Sequence, residues 1–293
     1  MPIVCGGMNK QRNIKFIGKA DEVSLGPDTV QQALPLKHIE QVDPFLLLHH
    51  FNKDIEPGGP ALDVAPHPHR GFEPVTFLFE GEIRHRDSRG NEGYLKSGDV
   101  QWMTAGMGIV HSEAADKEWV AEGGKMNLIQ LWVNLPKRDK MMQPAYQDIK
   151  SENIPVYDNH EGFTARVVAG TFNDLTGPAA TRTPLNAVHG KLEKGKEVNL
   201  PVEKNHSALV YVLDGFLEFN DKHQASSGFI AIFENEGDLL NIKAKQDTAF
   251  LLLTGEPINE PMATYGPFVM NNQTEIMEAI RDYQTGKMGM LTY

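Results

Sequence analysis

The sequence predicts an all-β protein: two similar barrel-like halves and one short helix near the C-terminus. Three observations predict it. Short runs of β-branched and aromatic residues recur along the 293 residues, separated by Gly, Pro, Asn and Asp turns. The pattern Val75-Thr76-Phe77-Leu78-Phe79-Glu80-Gly81 returns as Leu209-Val210-Tyr211-Val212-Leu213-Asp214-Gly215, with Ser97-Gly98 falling on Ser227-Gly228. Two stretches of the first half also carry polar groups two residues apart, the spacing that puts side chains on one face of a strand.

Taken in order, Ile14–Ile17 and Pro44–His50 are the first apolar strand runs, and Glu56–Pro60 is a Gly- and Pro-rich loop. Val75–Asp87 reads as two strands bent at Glu80-Gly81. Ser88–Asn91 and Ser97–Asp99 are turns, Val100–Met103 is a strand, and Leu128–Val133 is another. The glycines at 106 and 108 suggest a tight approach to the second polar pair. Pro136–Pro144, charged and Met-containing, reads as a linker dividing a domain 1–145 from a domain 146–293. Strands resume at 164–170, 208–215, 229–233 and 249–254. Glu275–Gln284 reads as a helix: Ile276, Ile280 and Tyr283 share a face, and Asn272 with Glu275 resembles a capping box.

The composition is that of a globular protein, 40% hydrophobic and 23% charged. A net charge of −11 disfavours direct nucleic-acid binding, which needs Lys and Arg against phosphates. The single cysteine, Cys5, excludes an intramolecular disulfide and reads as an inert thiol. No secretory signal opens the chain and no apolar run reaches membrane-spanning length, so the expected setting is cytoplasmic. No phosphate loop and no nucleophile elbow is present.

The chemistry centres on His67-Pro68-His69 and His111-Ser112-Glu113. If both stretches are strands of one barrel, three imidazoles and a carboxylate converge on one point. Three neutral nitrogens and one hard oxygen suit a divalent first-row metal, and iron, manganese, copper and nickel all fit. Four protein ligands leave positions open for substrate or dioxygen. Carried through the repeat, His67 falls on Pro201, His69 on Glu203, His111 on Asn241 and Glu113 on Lys243. The second half is therefore expected to keep the scaffold without the ligands. Glu73, four residues after His69, shares its face if the strand is regular, as an acceptor from an imidazole or as a lining carboxylate. Arg70 and His85 read as exposed, as do His189, His206 and His223. Of His49 and His50, at most one can face the interior. Phe72, Phe79, Trp102 and Met107 read as core that could also line a pocket for a flat ligand.

Pro66–Glu73, Gly98–Gly106 and Gly108–Glu113 resemble the cupin superfamily and, within it, the pirin family. Asp43–Leu48, Leu131–Pro136, Gly255–Pro261 and Tyr265–Asn271 extend the likeness over nearly the whole chain. The resemblance implies a bicupin, with two jelly-roll-like barrels. It implies one metal, Fe(II), in the N-terminal barrel, with manganese, nickel, copper or zinc compatible with the same donors. It implies Glu113 rather than Glu73 as fourth ligand, and no metal in the C-terminal barrel. Two functions follow from it. One is a quercetin 2,3-dioxygenase, with a flavonol and dioxygen as substrates, carbon monoxide as a product and Glu113 as the general base. The other is an iron-dependent regulator acting through a protein partner. Neither involves direct nucleic-acid or membrane contact.

Overall fold

Period-two alternation is visible where a strand has one solvated face. In Glu82–Asp87 the buried residues are Ile83, His85 and Asp87, while Arg84 and Arg86 face out. The neighbouring strand Phe72–Glu80 is buried on both faces for most of its length, as expected of a strand inside two packed layers. A computed structural model describes residues 10–26 and 28–291 of the chain; Cys5 lies outside them.

The chain forms two units. Among the described residues, one comprises 10–19, 155–177 and 184–257; the other comprises the rest, 20–154, 178–183 and 258–291. Each contains a seven-stranded and a four-stranded sheet, with antiparallel pairing between neighbouring strands. This division differs from a cut at 145/146 at both ends of the chain. Ile14–Lys19 is the edge strand beside Phe229–Phe233, and the C-terminal helix belongs with residues 20–154. Edge pairing is a tertiary choice, and nothing in the local pattern of residues 14–19 announces it.

In the unit built on residues 20–154, the large sheet runs in the order 145–149, 100–104, 72–80, 124–134, 45–55, 28–34, 21–25. The small sheet runs 63–69, 109–115, 82–87, 92–96. An apolar cluster of Phe51, Ile55, Leu62, Leu78, Ile83, Leu95 and Met126 fills the space between them, each large side chain contributing about 1.5–3 kcal/mol. The helix spans Gln273–Gln284; Asn272 caps it by accepting from the Glu275 N–H, and Glu275 accepts from the Asn271 N–H. Ile276 and Ala279 bury against Val110, Phe268 and Met270, while Tyr283 remains exposed. A further short helix, Lys117–Glu122, is capped by Asp116. No helix is long and apolar enough to cross a membrane.

Residues 136–144 are not a solvated linker. Lys140 is buried and donates to the carbonyls of Gly71 and Val269 and to Asn134 Oδ1, so its ammonium ties three segments together. The Ser97–Asp99 turn is held by a buried carboxylate. Asp99 accepts from Lys150 Nζ at 2.9 Å and from the N–H groups of Lys96 and Ser151. Burial pushes its carboxyl up, but these donors outweigh burial and leave its pKa below the usual value. We expect Asp99→Asn to cost about 2 kcal/mol at pH 7. The folded state holds this proton less tightly than the unfolded chain. The carboxylate's contribution is therefore complete above about pH 4 and fades as pH falls through the folded pKa. Urea melts of both proteins at pH 7 and at acid pH should show the gap closing.

The other unit repeats the plan around a core that includes Phe163, Val210, Phe219, Phe233 and Phe250. The strand pairing revises the expected register by two residues on one strand. His67 pairs with His111 and His69 with Ile109; at the equivalent places Asn199 pairs with Asn241 and Pro201 with Leu239. The positions answering to His67 and His69 are therefore Asn199 and Pro201. The connection from 201 to the next strand at 207 is longer than that from 69 to 72, and this shifts the count. Asn241 donates to Asn199 at 3.0 Å and to Glu197 at 2.7 Å. An amide hydrogen bond thus replaces the imidazole pair. His206 is buried against Thr254 and His189 is partly buried; among the described residues no metal-type cluster forms in this unit.

Candidate metal centre

Two antiparallel strands, Asp63–His69 and Ile109–Ala115, place the histidines. Their register slips between His111 and Glu113, so that Glu113 lies opposite Val64. Pro66, which has no N–H to give to a ladder, sits in the slipped stretch. The carbonyl of Ala65 meets His67 Nδ1 at 2.9 Å. A carbonyl only accepts, so His67 carries its proton on Nδ1, and Nε2 presents a lone pair.

That lone pair faces His69 Nε2 at 3.1 Å. Two nitrogens bound side by side on one cation, each about 2.1 Å from it, stand on the order of 3 Å apart. His111 Nε2 and His69 Nδ1 are buried without a hydrogen-bond partner. Ligand atoms of His67, His69 and His111 all lie within 4.8 Å of one another. Burial drives the pKa of all three imidazoles down. For His111 the neighbouring histidines add to the effect, as His67 does for His69. They are neutral at pH 7, the ligating form. Buried lone pairs facing one another are costly without a cation between them, so this donor set fits a divalent metal.

Glu113 stands beside this cluster rather than in it. Its Oε1 accepts from Thr76 Oγ1 at 3.1 Å and its Oε2 from Gln130 Nε2 at 2.9 Å. Gln130 Oε1 in turn accepts from Trp132 Nε1 at 3.2 Å. Burial raises the carboxyl's pKa, and the Thr76 and Gln130 donors draw it partly back. Each oxygen keeps a lone pair for a cation or a proton.

Glu73 is elsewhere. Gly71, at φ +87°, turns the chain between the two strands, so the parity counted from His69 is broken. Phe72 packs edge-on to His69 at 5.0 Å, and Thr76 reaches Glu113. Glu73, on the alternate face, accepts from Thr104 Oγ1 at 2.6 Å. Burial lifts its pKa to about 6. Trp102 pairs with Val75 on that same alternate face and is core.

Near the centre two further residues depart from the sequence reading, and a third was missed by it. Arg70 is buried, donating to the Met107 carbonyl at 2.7 Å and to Asp282 at 3.0 Å. His85 is buried too, with Nε2 3.0 Å from His111 Nδ1. Flanking arginines made it look solvated, but in a strand they belong to the opposite face. Burial holds its pKa near 4, so it is a neutral partner that orients the His111 ring. The third, Trp132, packs on Phe72 and His69. Its alternation within Leu128–Val133 was the available signal.

The centre opens onto a cavity of about 470 Å³, lined by His67, His69 and Glu113 and by an apolar wall including Phe51, Leu62, Leu128 and Trp132. His49 faces this cavity, while His50 meets Asn127.

Comparison with known proteins agrees with the geometry. Residues 28–133 match the Pirin family, and residues 187–289 match the Pirin C-terminal cupin domain. Human pirin is 35% identical, over 97% of this chain and 95% of its own. A crystal structure of quercetin 2,3-dioxygenase from Acinetobacter baumannii superposes with a TM-score of 0.92 at 40% identity, covering 97% of this chain and 100% of that one. A bacterial pirin from Escherichia coli, solved in complex with nickel(II), shares the fold: TM-score 0.65 at 18% identity, over 83% of this chain and 99% of that one. The chain is a two-domain cupin and belongs to the pirin family.

Proposed function

We propose that the protein is a metal-dependent quercetin 2,3-dioxygenase that opens the heterocycle of a flavonol with dioxygen and releases carbon monoxide. The observation that carries this reading is the convergence of three neutral imidazoles, of which His67 and His69 line an apolar cavity of about 470 Å³, a size suited to one flat aromatic molecule. The likeness to the quercetin 2,3-dioxygenase from Acinetobacter baumannii supports the choice of substrate.

In this reading His67, His69 and His111 hold the metal, and a lone pair of Glu113 completes the set. Fe(II) is the proposed ion, and the same donors accept manganese, nickel, copper or zinc. When bound, the metal supplies a Lewis-acid and redox centre for activating the substrate toward dioxygen. The protein supplies the rest. Phe51, Leu128 and Trp132 exclude water from around the substrate rings. Glu113, made more basic by burial and held by Thr76 and Gln130, accepts the proton of the substrate hydroxyl. His85 keeps the His111 ring in place.

The test is direct: protein loaded with Fe(II) receives quercetin in air, and carbon monoxide is measured. The expected result is catalytic release that disappears in His69→Ala. Release no greater than from that variant would overturn the reading.

A further inference from the structure

One row of polar residues crosses the large sheet at the cavity. Gln32 lies opposite His49, His49 opposite Gln130, and Gln130 opposite Thr76. Directly opposed residues on one face are within side-chain reach. Gln130 and Thr76 are committed to Glu113. Gln32 donates its amide Nε2 to the Pro35 carbonyl at 2.9 Å. This fixes which end of its amide is oxygen, and that oxygen lies 2.9 Å from His49 Nε2. The proton of His49 is therefore on Nε2, and Nδ1 is an acceptor. Of the side-chain nitrogens and oxygens of Gln32, His49 and Gln130, Nδ1 of His49 is the one with no hydrogen-bond partner among the described residues. His49 lines the same cavity as His67, His69 and Glu113.

We infer that His49 is a specificity-determining residue: its Nδ1, locked as an acceptor by Gln32, receives a ring hydroxyl of the ligand at a distance from the metal. This deepens the flavonol reading above and rests on it. Burial holds the imidazole pKa near 4, so it remains neutral and an acceptor throughout the physiological range. The surrounding wall of Leu47, Phe51, Leu62 and Leu128 presents apolar side chains. A ligand without that hydroxyl leaves Nδ1 facing an apolar ring, and one with it gains an oriented hydrogen bond. Gln32 touches no ligand; it is a positioning residue.

The experiment measures binding without turnover. Fe(II)-loaded protein is titrated anaerobically, following tryptophan fluorescence, with quercetin and two matched flavonols. One lacks the two phenyl-ring hydroxyls, the other the two hydroxyls of the fused benzo ring. We expect the wild type to prefer quercetin over one of the two by roughly tenfold, one buried hydrogen bond. His49→Phe should lose that preference while binding the poorer flavonol as before. His49→Gln, which restores an acceptor, should recover part of it, and Gln32→Leu should weaken it without removing it. Equal preferences in wild type and His49→Phe would overturn the assignment alone. A preference that vanishes in His49→Phe while no carbon monoxide forms in air would sustain it and overturn the catalytic reading. Failure of all three flavonols to bind the wild type would overturn both.

Discussion

Replacing His111 with alanine should abolish stoichiometric metal binding. Its Nε2 is buried and lacks a protein partner, its Nδ1 is engaged by His85, and burial with the adjacent histidines keeps it neutral. Every feature of the residue is arranged to present one lone pair. Without it two imidazoles and Glu113 remain, and the carboxylate is already shared between Thr76 and Gln130. We expect metal content by elemental analysis to fall from near one equivalent to a trace and, on the proposed function, carbon monoxide release from quercetin to fall at least a thousandfold. A stability readout separates this from misfolding. Metal at about a thousand times its Kd stabilises the wild type by about 4 kcal/mol, which raises the Tm by roughly 8–16 °C in a domain of this size. The variant should fold, with a near wild-type Tm in metal-free buffer, and show almost none of that rise. A full metal-induced shift in His111→Ala would remove this histidine from the centre.

Gly71→Ala should be among the most damaging single-methyl additions in the chain. Gly71 has φ +87°, and an added Cβ would lie 2.0 Å from the Val269 carbonyl oxygen and 2.8 Å from Met270 Sδ. The nearer of these atoms is backbone and is pinned: Lys140 donates to the carbonyls of both Gly71 and Val269, and the Val269 N–H donates to the Arg70 carbonyl. The left-handed backbone costs about 1–2 kcal/mol for a residue with a Cβ. The clash must be relieved by moving a strand junction two residues from His69. We expect a loss of about 4 kcal/mol or more and weakened metal affinity, read by thermal melts and metal titration. Gly90→Ala is the control. Its φ is +85° with nothing within 4 Å of the added carbon, so it should lose only the conformational cost. Similar losses in the two variants would show that the close approach is not what requires glycine at 71.

Both predictions mark how much was legible in the residues. His67, His69 and His111 are brought together as their spacing foretold, because period-two alternation survives along each strand and the two strands are neighbours. The same alternation misleads wherever the chain bends. Counting from His69 to Glu73 crosses Gly71, and the turn moves Glu73 to the opposite face. Counting through the repeat crosses a connection of different length, so Asn199 rather than Pro201 answers His67. His85 was hidden by its flanking arginines and Arg70 by its own charge, although burial belongs to a face and not to a stretch.

The sequence by itself determined the all-β class, the internal repeat, the capped C-terminal helix and the three histidines, because each is written in local spacing and turn chemistry. Only the tertiary structure decided the rest. It set which unit the strand Ile14–Lys19 and the helix Gln273–Gln284 join, how Lys140 came to be buried, and that Glu113 is held by Thr76 and Gln130 beside the cluster. It also set Gln32 beside His49. These depend on which strands lie side by side and in what register, and that is settled by packing between residues far apart in the chain.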